Sequence, residues 1–183
     1  AADGQFSAPV SPCDFSDWLN QHTEKHPVLV RLGEMFVQFF STVPRCLFFD
    51  DGLMVAHGGI PLFPEEINTF GDLNGKHCLQ DFVWTRAHRR APWKDAHRTY
   101  LGCEFGFENF GEFSRRMRET CNVSVKRMIR GHDHIADEAR FEIYPRWQEF
   151  PMLTINTMSR RLPRENRGPF VHQPCIAEWV HGE

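Results

Sequence analysis

The sequence predicts an α/β fold with mixed sheets beside helices. Three observations point there. A helical apolar stripe runs from Val30 to Val43, two short apolar runs flank Asp50-Asp51-Gly52, and further strand-like runs alternate with helical stretches beyond residue 75.

Taken in order, residues 1–17 read as loop, punctuated by Gly4, Pro9 and Pro12. From Val30 the apolar residues are Leu32, Met35, Phe36, Phe39, Phe40 and Val43. Their spacing is that of an amphipathic helix, and Pro44 stops it. Cys46–Phe49 and Leu53–Ala56 around an Asp-Gly turn predict a β-hairpin. The second strand runs into His57-Gly58-Gly59, where glycines let the backbone turn sharply and approach a ligand. Leu79–Trp84 predicts a short helix, and the basic residues 85–98 around Pro92 predict a loop. Asn109, with Glu112 three residues on, has the pattern of a helix N-cap; Phe110, Phe113, Met117 and Cys121 supply the apolar face. Val125–Ile129, Phe141–Tyr144, Met152–Asn156 and Ile176–Val180 read as strands. No repeat or internal linker divides the 183 residues, which are expected to form one domain.

Composition excludes several classes. A net charge of -3 with 25% charged residues fits neither a basic nucleic-acid binder nor a disordered acidic tail. No apolar run reaches the ~18 residues of a membrane span. The opening AADGQFSAPVSP has no basic segment followed by an apolar one, so no signal peptide is expected. Six cysteines without a Cys-x-x-Cys pair suit free thiols and a cytoplasmic location. Seventeen Phe residues must be buried, in this chain's core or against a partner.

The chemistry concentrates on two histidines. His57 and His132 each follow an apolar strand and sit beside glycine. Strand ends in α/β sheets are where ligands gather, and neutral imidazole suits Zn, Mn or Fe. Taken singly, a histidine at a strand end is more often a hydrogen-bonded structural residue. His134 stands two residues beyond His132, and on an extended chain the two could share a face.

The setting of these residues resembles the phosphoprotein (Ser/Thr) phosphatases, calcineurin-like dinuclear metallophosphoesterases. The helix ending at Val43-Pro44, the hairpin and LFFDDGLMVAHGGIP carry the resemblance first. Asp81-Phe82-Val83-Trp84, Phe105-Gly106 before a helix, Arg127–His132 and Leu153–Asn156 follow in the family's order, over residues 30–160. The resemblance implies a mixed-sheet β-sandwich flanked by helices, metallophosphatase-like, of which this chain is the C-terminal portion. It implies hydrolysis of phosphate monoesters by a hydroxide held between two divalent metal ions (Mn, Fe or Zn). His57 and His132 correspond to ligands of the second metal. The phosphate-clamping arginine aligns with Thr99, which makes neighbouring Arg98 the candidate. Arg130 precedes the metal histidine and is a weaker candidate; otherwise it reads as a solvated strand-end charge. Asn156 and Arg160 fall near the substrate loop, where Arg161 replaces the usual aromatic residue. His134 has no metal role in the family and suits a substrate-side hydrogen bond or plain exposure.

The family's GD-x-H-G, GD-x-x-D-R-G and GNH motifs do not occur in these residues. They supply the first-metal ligands, the bridging Asp and the general acid. The resemblance therefore implies a missing N-terminal half, joined in cis or in trans, as partner beside a phosphorylated protein or small molecule. The Ser159-Arg160-Arg161 loop leaves a phosphodiesterase or nucleotide pyrophosphatase open, and a non-catalytic interaction domain is the other alternative. A zinc module on His132 and His134 lacks a cysteine at ligand spacing. Neither nucleic acid nor membrane is expected as a partner.

Overall fold

A computed structural model describes residues 19–22, 24–95, 103–133, 141–143, 151–155, 177–178 and 180, with Ser41 and 141–143 described in backbone only. The chain clusters into two compact units, residues 1–44 and 45–183.

The first unit holds helix α1, Pro27–Thr42. Proline at the first position fits an N-terminus, where its missing N–H is no loss. The helix ends at extended Val43, as Pro44 requires. Val30 and Leu19 are buried, and Leu19 packs on Gly33. The expected stripe is helical but exposed: Phe36, Phe39 and Phe40 are 56%, 59% and 66% accessible.

The second unit is α/β. Its main sheet has five strands in the order β1-β2-β5-β7-β6. Strands β1 (Cys46–Phe48) and β2 (Leu53–Ala56) form the expected hairpin, with Cys46 opposite Ala56 and Phe48 opposite Met54. Gly52 closes the turn at φ +90. Strand β2 pairs in parallel with β5 (Arg127–Arg130), and β5 in parallel with β7 (Met152–Ile155). Strand β6 (Phe141–Ile143) returns antiparallel on the far edge. The parallel trio sends three carboxyl ends out on one side, where His57 and His132 follow.

Three strands depart from expectation. Within residues 85–98, expected as loop, β3 (Arg86–Ala87) pairs in parallel with β4 (Glu104–Phe105) in a separate ribbon. A two-residue strand has too few positions to show alternation. Of the expected closing strand, Ala177, Glu178 and Val180 belong to no strand and are exposed.

Helix α2 spans Lys76–Trp84 and α3 spans Phe107–Cys121. Helix α3 starts three residues earlier than the cap pattern predicts. Gly106 is the N-cap, and Asn109 stands at the third helical position, its Oδ1 accepting the Gly106 N–H at 2.8 Å. Asparagine thus does the reach-back that Glu or Gln performs in a capping box. Asn122 ends the helix in the left-handed conformation, φ 56, a common exit.

The core lies between the sheet and these helices. Met54, Phe82, Phe105, Phe110, Phe113, Met117, Met128 and Met152 are all buried in it. Each such side chain contributes about 1.5–3 kcal/mol on removal from water. Ser114 on α3 donates to the Val125 carbonyl just before β5. Cys46 and Cys121 stand in no disulfide, and burial pushes the Cys46 thiol up. Among the described residues no helix is long and apolar enough to cross a membrane.

Candidate metal centre at the ends of the parallel strands

His57 follows β2 directly, and His132 lies two residues beyond β5. The parallel register sets Ala56 beside Arg130, so the two histidines emerge side by side. The Gly131 N–H donates to the His57 carbonyl at 3.0 Å and locks this alignment. The His132 Nδ1 and His57 Nε2 atoms stand 3.2 Å apart, with ring centroids separated by 5.1 Å at 64°. Trp84 meets His132 edge-on, with centroids 5.6 Å apart.

The Gly58-Gly59 pair allows this closeness. A Cβ on Gly58 would collide with the Val83 backbone, and one on Gly59 with Phe105 and Thr85. Without side chains the loop lies against the end of α2: the Gly58 N–H donates to Phe82 O at 2.7 Å, and Thr85 Oγ1 donates to Ile60 O at 3.1 Å. Buried Asp81 accepts the Leu62 N–H at 3.0 Å. These bonds fix where His57 leaves the sheet.

On the other side, Arg130 is 1% accessible, so it is no solvated strand-end charge. Its Nε donates to the Gly58 carbonyl and its Nη1 to Asp133, with Thr154 Oγ1 3.3 Å from the same nitrogen. Its Nη2 is buried without a hydrogen-bond partner. Asp133 also accepts from Arg86 Nη1 at 2.7 Å. Burial pushes the Asp133 carboxyl up, but the Arg130 charge and the bonds from Arg130 and Arg86 outweigh it and hold it below the ordinary carboxylate range. Arg86 and Asp133 therefore tie the two-strand ribbon to the turn that carries His132. Neither stands out in the sequence, because the pair is 47 residues apart.

His132 takes a left-handed backbone, φ 66. That is not the extended geometry on which residues i and i+2 share a face. Burial first, and then the Arg86 and His57 charges, push the His132 imidazole down to about 4. The ring is consequently neutral at pH 7, the state a metal ligand needs. Arg98, His134, Asn156 and Arg160, with Thr99 and Arg161, lie outside the described residues.

The pair suits a metal ion in donor type and spacing. At ligand distances of ~2.0–2.1 Å, two imidazole nitrogens on one ion stand ~3.0–3.4 Å apart. Without an ion the 3.2 Å contact is a hydrogen bond, in which one of the two facing nitrogens carries a proton; an ion between them would need both lone pairs and would leave the His132 proton on Nε2, which is buried and has no hydrogen-bond partner. Among the described residues no group of three His, Cys, Asp or Glu side chains could hold a metal. No family model matches the chain, and no curated protein matches it.

Proposed function

We propose that this chain is part of a metal-dependent phosphatase that hydrolyses phosphate monoesters and resembles the Ser/Thr protein phosphatases. The observation that carries the reading is the 3.2 Å approach of His132 Nδ1 and His57 Nε2 at the carboxyl ends of adjacent parallel strands. In this reading the sheet is the C-terminal portion of a metallophosphatase-like sandwich, and the ions are Mn, Fe or Zn.

The chain's own residues would divide the work. His57 and His132 would each offer a ring nitrogen to one ion. Trp84 limits the swing of the His132 ring, and Arg130 pins the Gly58 carbonyl to the Asp133 turn so that the two ligands keep their separation. Bound metal supplies Lewis-acid stabilisation of charge on the phosphoryl oxygens. Two histidines do not complete a hydrolytic site, so the reading requires carboxylate ligands and a general acid from elsewhere in the polypeptide or from a partner.

Metal content of the purified chain after incubation with Mn²⁺ or Zn²⁺ tests this. The wild type is expected to retain metal, and His57→Ala and His132→Ala each to lose most of it. Retention unchanged in both variants, or no retention in the wild type, sinks the metal assignment. Turnover of p-nitrophenyl phosphate by the completed enzyme should exceed that of bis-p-nitrophenyl phosphate; the reverse would convert the reading to a diesterase.

A further inference from the structure

The loop that leaves His57 also borders a cavity that the metal reading does not use. Its volume is about 310 Å³, and Ile60, Leu62, Phe63, Trp93 and Phe105 give it an apolar lining. Glu65, Glu104, Glu112 and Lys94 line it as well. Ligand pockets run from ~300 to 1,000 Å³, so this one has room for an anchoring side chain and little more. Ile60 and Phe105 are buried, whereas Trp93 is 47% accessible.

That exposed indole is held in place, because the residues on either side of it are bonded to the start of α3. The Glu108 N–H donates to Pro92 O at 2.8 Å. The Lys94 N–H donates to Asn109 Oδ1 at 2.9 Å, and Asn109 Nδ2 donates to Lys94 O at 3.1 Å. The loop 60–67 is fixed too. Thr85 and Asp81 hold Ile60 and Leu62. From α3, Arg116 donates its Nε to Ile67 O at 2.7 Å and its Nη2 to Glu65 O at 3.2 Å. Walls anchored in this way lose little freedom when a side chain enters between them. Rigid aromatic residues beside such pockets are where binding energy concentrates at protein interfaces.

The carboxylates set the sign of what enters. Glu104 is paired with Lys94 at 2.9 Å. Among the described residues Glu112 meets a cation only at 4.0 Å, on Arg115, which Glu119 holds at 2.9 Å. The Arg116 guanidinium is turned to carbonyls and to Asn68 Oδ1 at 2.7 Å, and among the described residues Glu65 forms no ion pair. Two carboxylates thus stand ready for a cation beside an aromatic ring, and the face of an indole attracts a cation in its own right.

We propose that this cavity docks a peptide segment of a partner protein, with an aromatic side chain entering beside Trp93 and a neighbouring lysine or arginine against Glu65 and Glu112. The docking site does not rest on the phosphatase reading.

The blocked tripeptide acetyl-Lys-Phe-Lys-amide, titrated into the isotope-labelled 183-residue chain and followed by NMR at the backbone amides of Leu62 and Glu112, tests it. The peptide is expected to shift both amides, and less so as salt rises. Acetyl-Glu-Phe-Glu-amide and acetyl-Lys-Gly-Lys-amide should each bind about tenfold or more weakly, since one reverses the charge and the other lacks the ring. Trp93→Ala should weaken the lysine–phenylalanine peptide about fivefold or more. Glu65→Gln/Glu112→Gln should bring the two phenylalanine peptides within about twofold of each other. If the double variant does not fold, Glu65→Gln alone decides, by at least halving the preference for the lysine peptide. Amides that do not shift with the lysine–phenylalanine peptide overturn the proposal. Equal affinity of the wild type for both phenylalanine peptides overturns it as well, and so does binding unchanged in Trp93→Ala.

Discussion

Helices α1 and α3 are written in one pattern and end in opposite circumstances. Both carry apolar residues at helical spacing, and both are rich in Phe. On α3 the stripe is sealed: Phe110, Phe113 and Met117 are 0% accessible. On α1 the stripe is open, with Met35, Phe36, Phe39 and Phe40 all more than half accessible. Period tells which residues share a face. It says nothing about whether a surface lies opposite that face, because burial is a property of two surfaces and the pattern describes one.

The contrast can be broken by substitution. Phe113→Ala should produce the largest effect, a loss of about 3–5 kcal/mol in urea-induced unfolding, because it leaves a cavity in a closed core. A loss under about 1 kcal/mol would mean that α3 is not sealed as described. An intermediate effect is expected from pH. The His132 imidazole is depressed to about 4 in the folded chain against an ordinary value near 6.5. Between those values the unfolded chain binds more protons, so stability is full above ~6.5 and falls as pH drops toward 4. In metal-free protein His132→Asn should flatten that part of the melting-temperature profile, while Phe113→Ala should lower the profile without changing its shape. A profile for His132→Asn that parallels the wild type would refute the assignment. The smallest effect belongs to α1: Phe39→Ser should change stability by no more than about 0.5 kcal/mol, as surface substitutions do. A loss near that of Phe113→Ala would show that the α1 stripe is covered in solution.

The same contrast separates what can be read from sequence. Local signals carry well: the hairpin around Asp50-Asp51-Gly52, the helix stop at Pro44 and the strands of the main sheet are each dictated by neighbours in the chain. The histidine pair is legible because each histidine ends an apolar run, although only the register places them together. Signals fail where the decisive partner is distant or the element is tiny. The β3–β4 ribbon has two residues per strand. The start of α3 escapes the cap pattern because Asn109 caps Gly106 from inside the helix and also binds Lys94, its Oδ1 accepting the Lys94 N–H at 2.9 Å. The Arg86–Asp133–Arg130 cluster draws in Arg86 from 47 residues away, and nothing near Asp133 in sequence marks that partner. Arg130 reads as a surface charge because its pairing with Asp133 depends on a turn that the left-handed His132 makes.

That left-handed backbone sets the strain of one residue against the contacts of its ring at a single codon. A side chain with a Cβ spends about 1–2 kcal/mol to stand at φ 66, which glycine would not. Variants chosen only for resistance to heat would therefore drift toward His132→Gly, gaining robustness while surrendering a ring that faces His57. Persistence of histidine under such selection would show that its ring contacts with His57 and Trp84 stabilise the fold by more than the backbone strain costs.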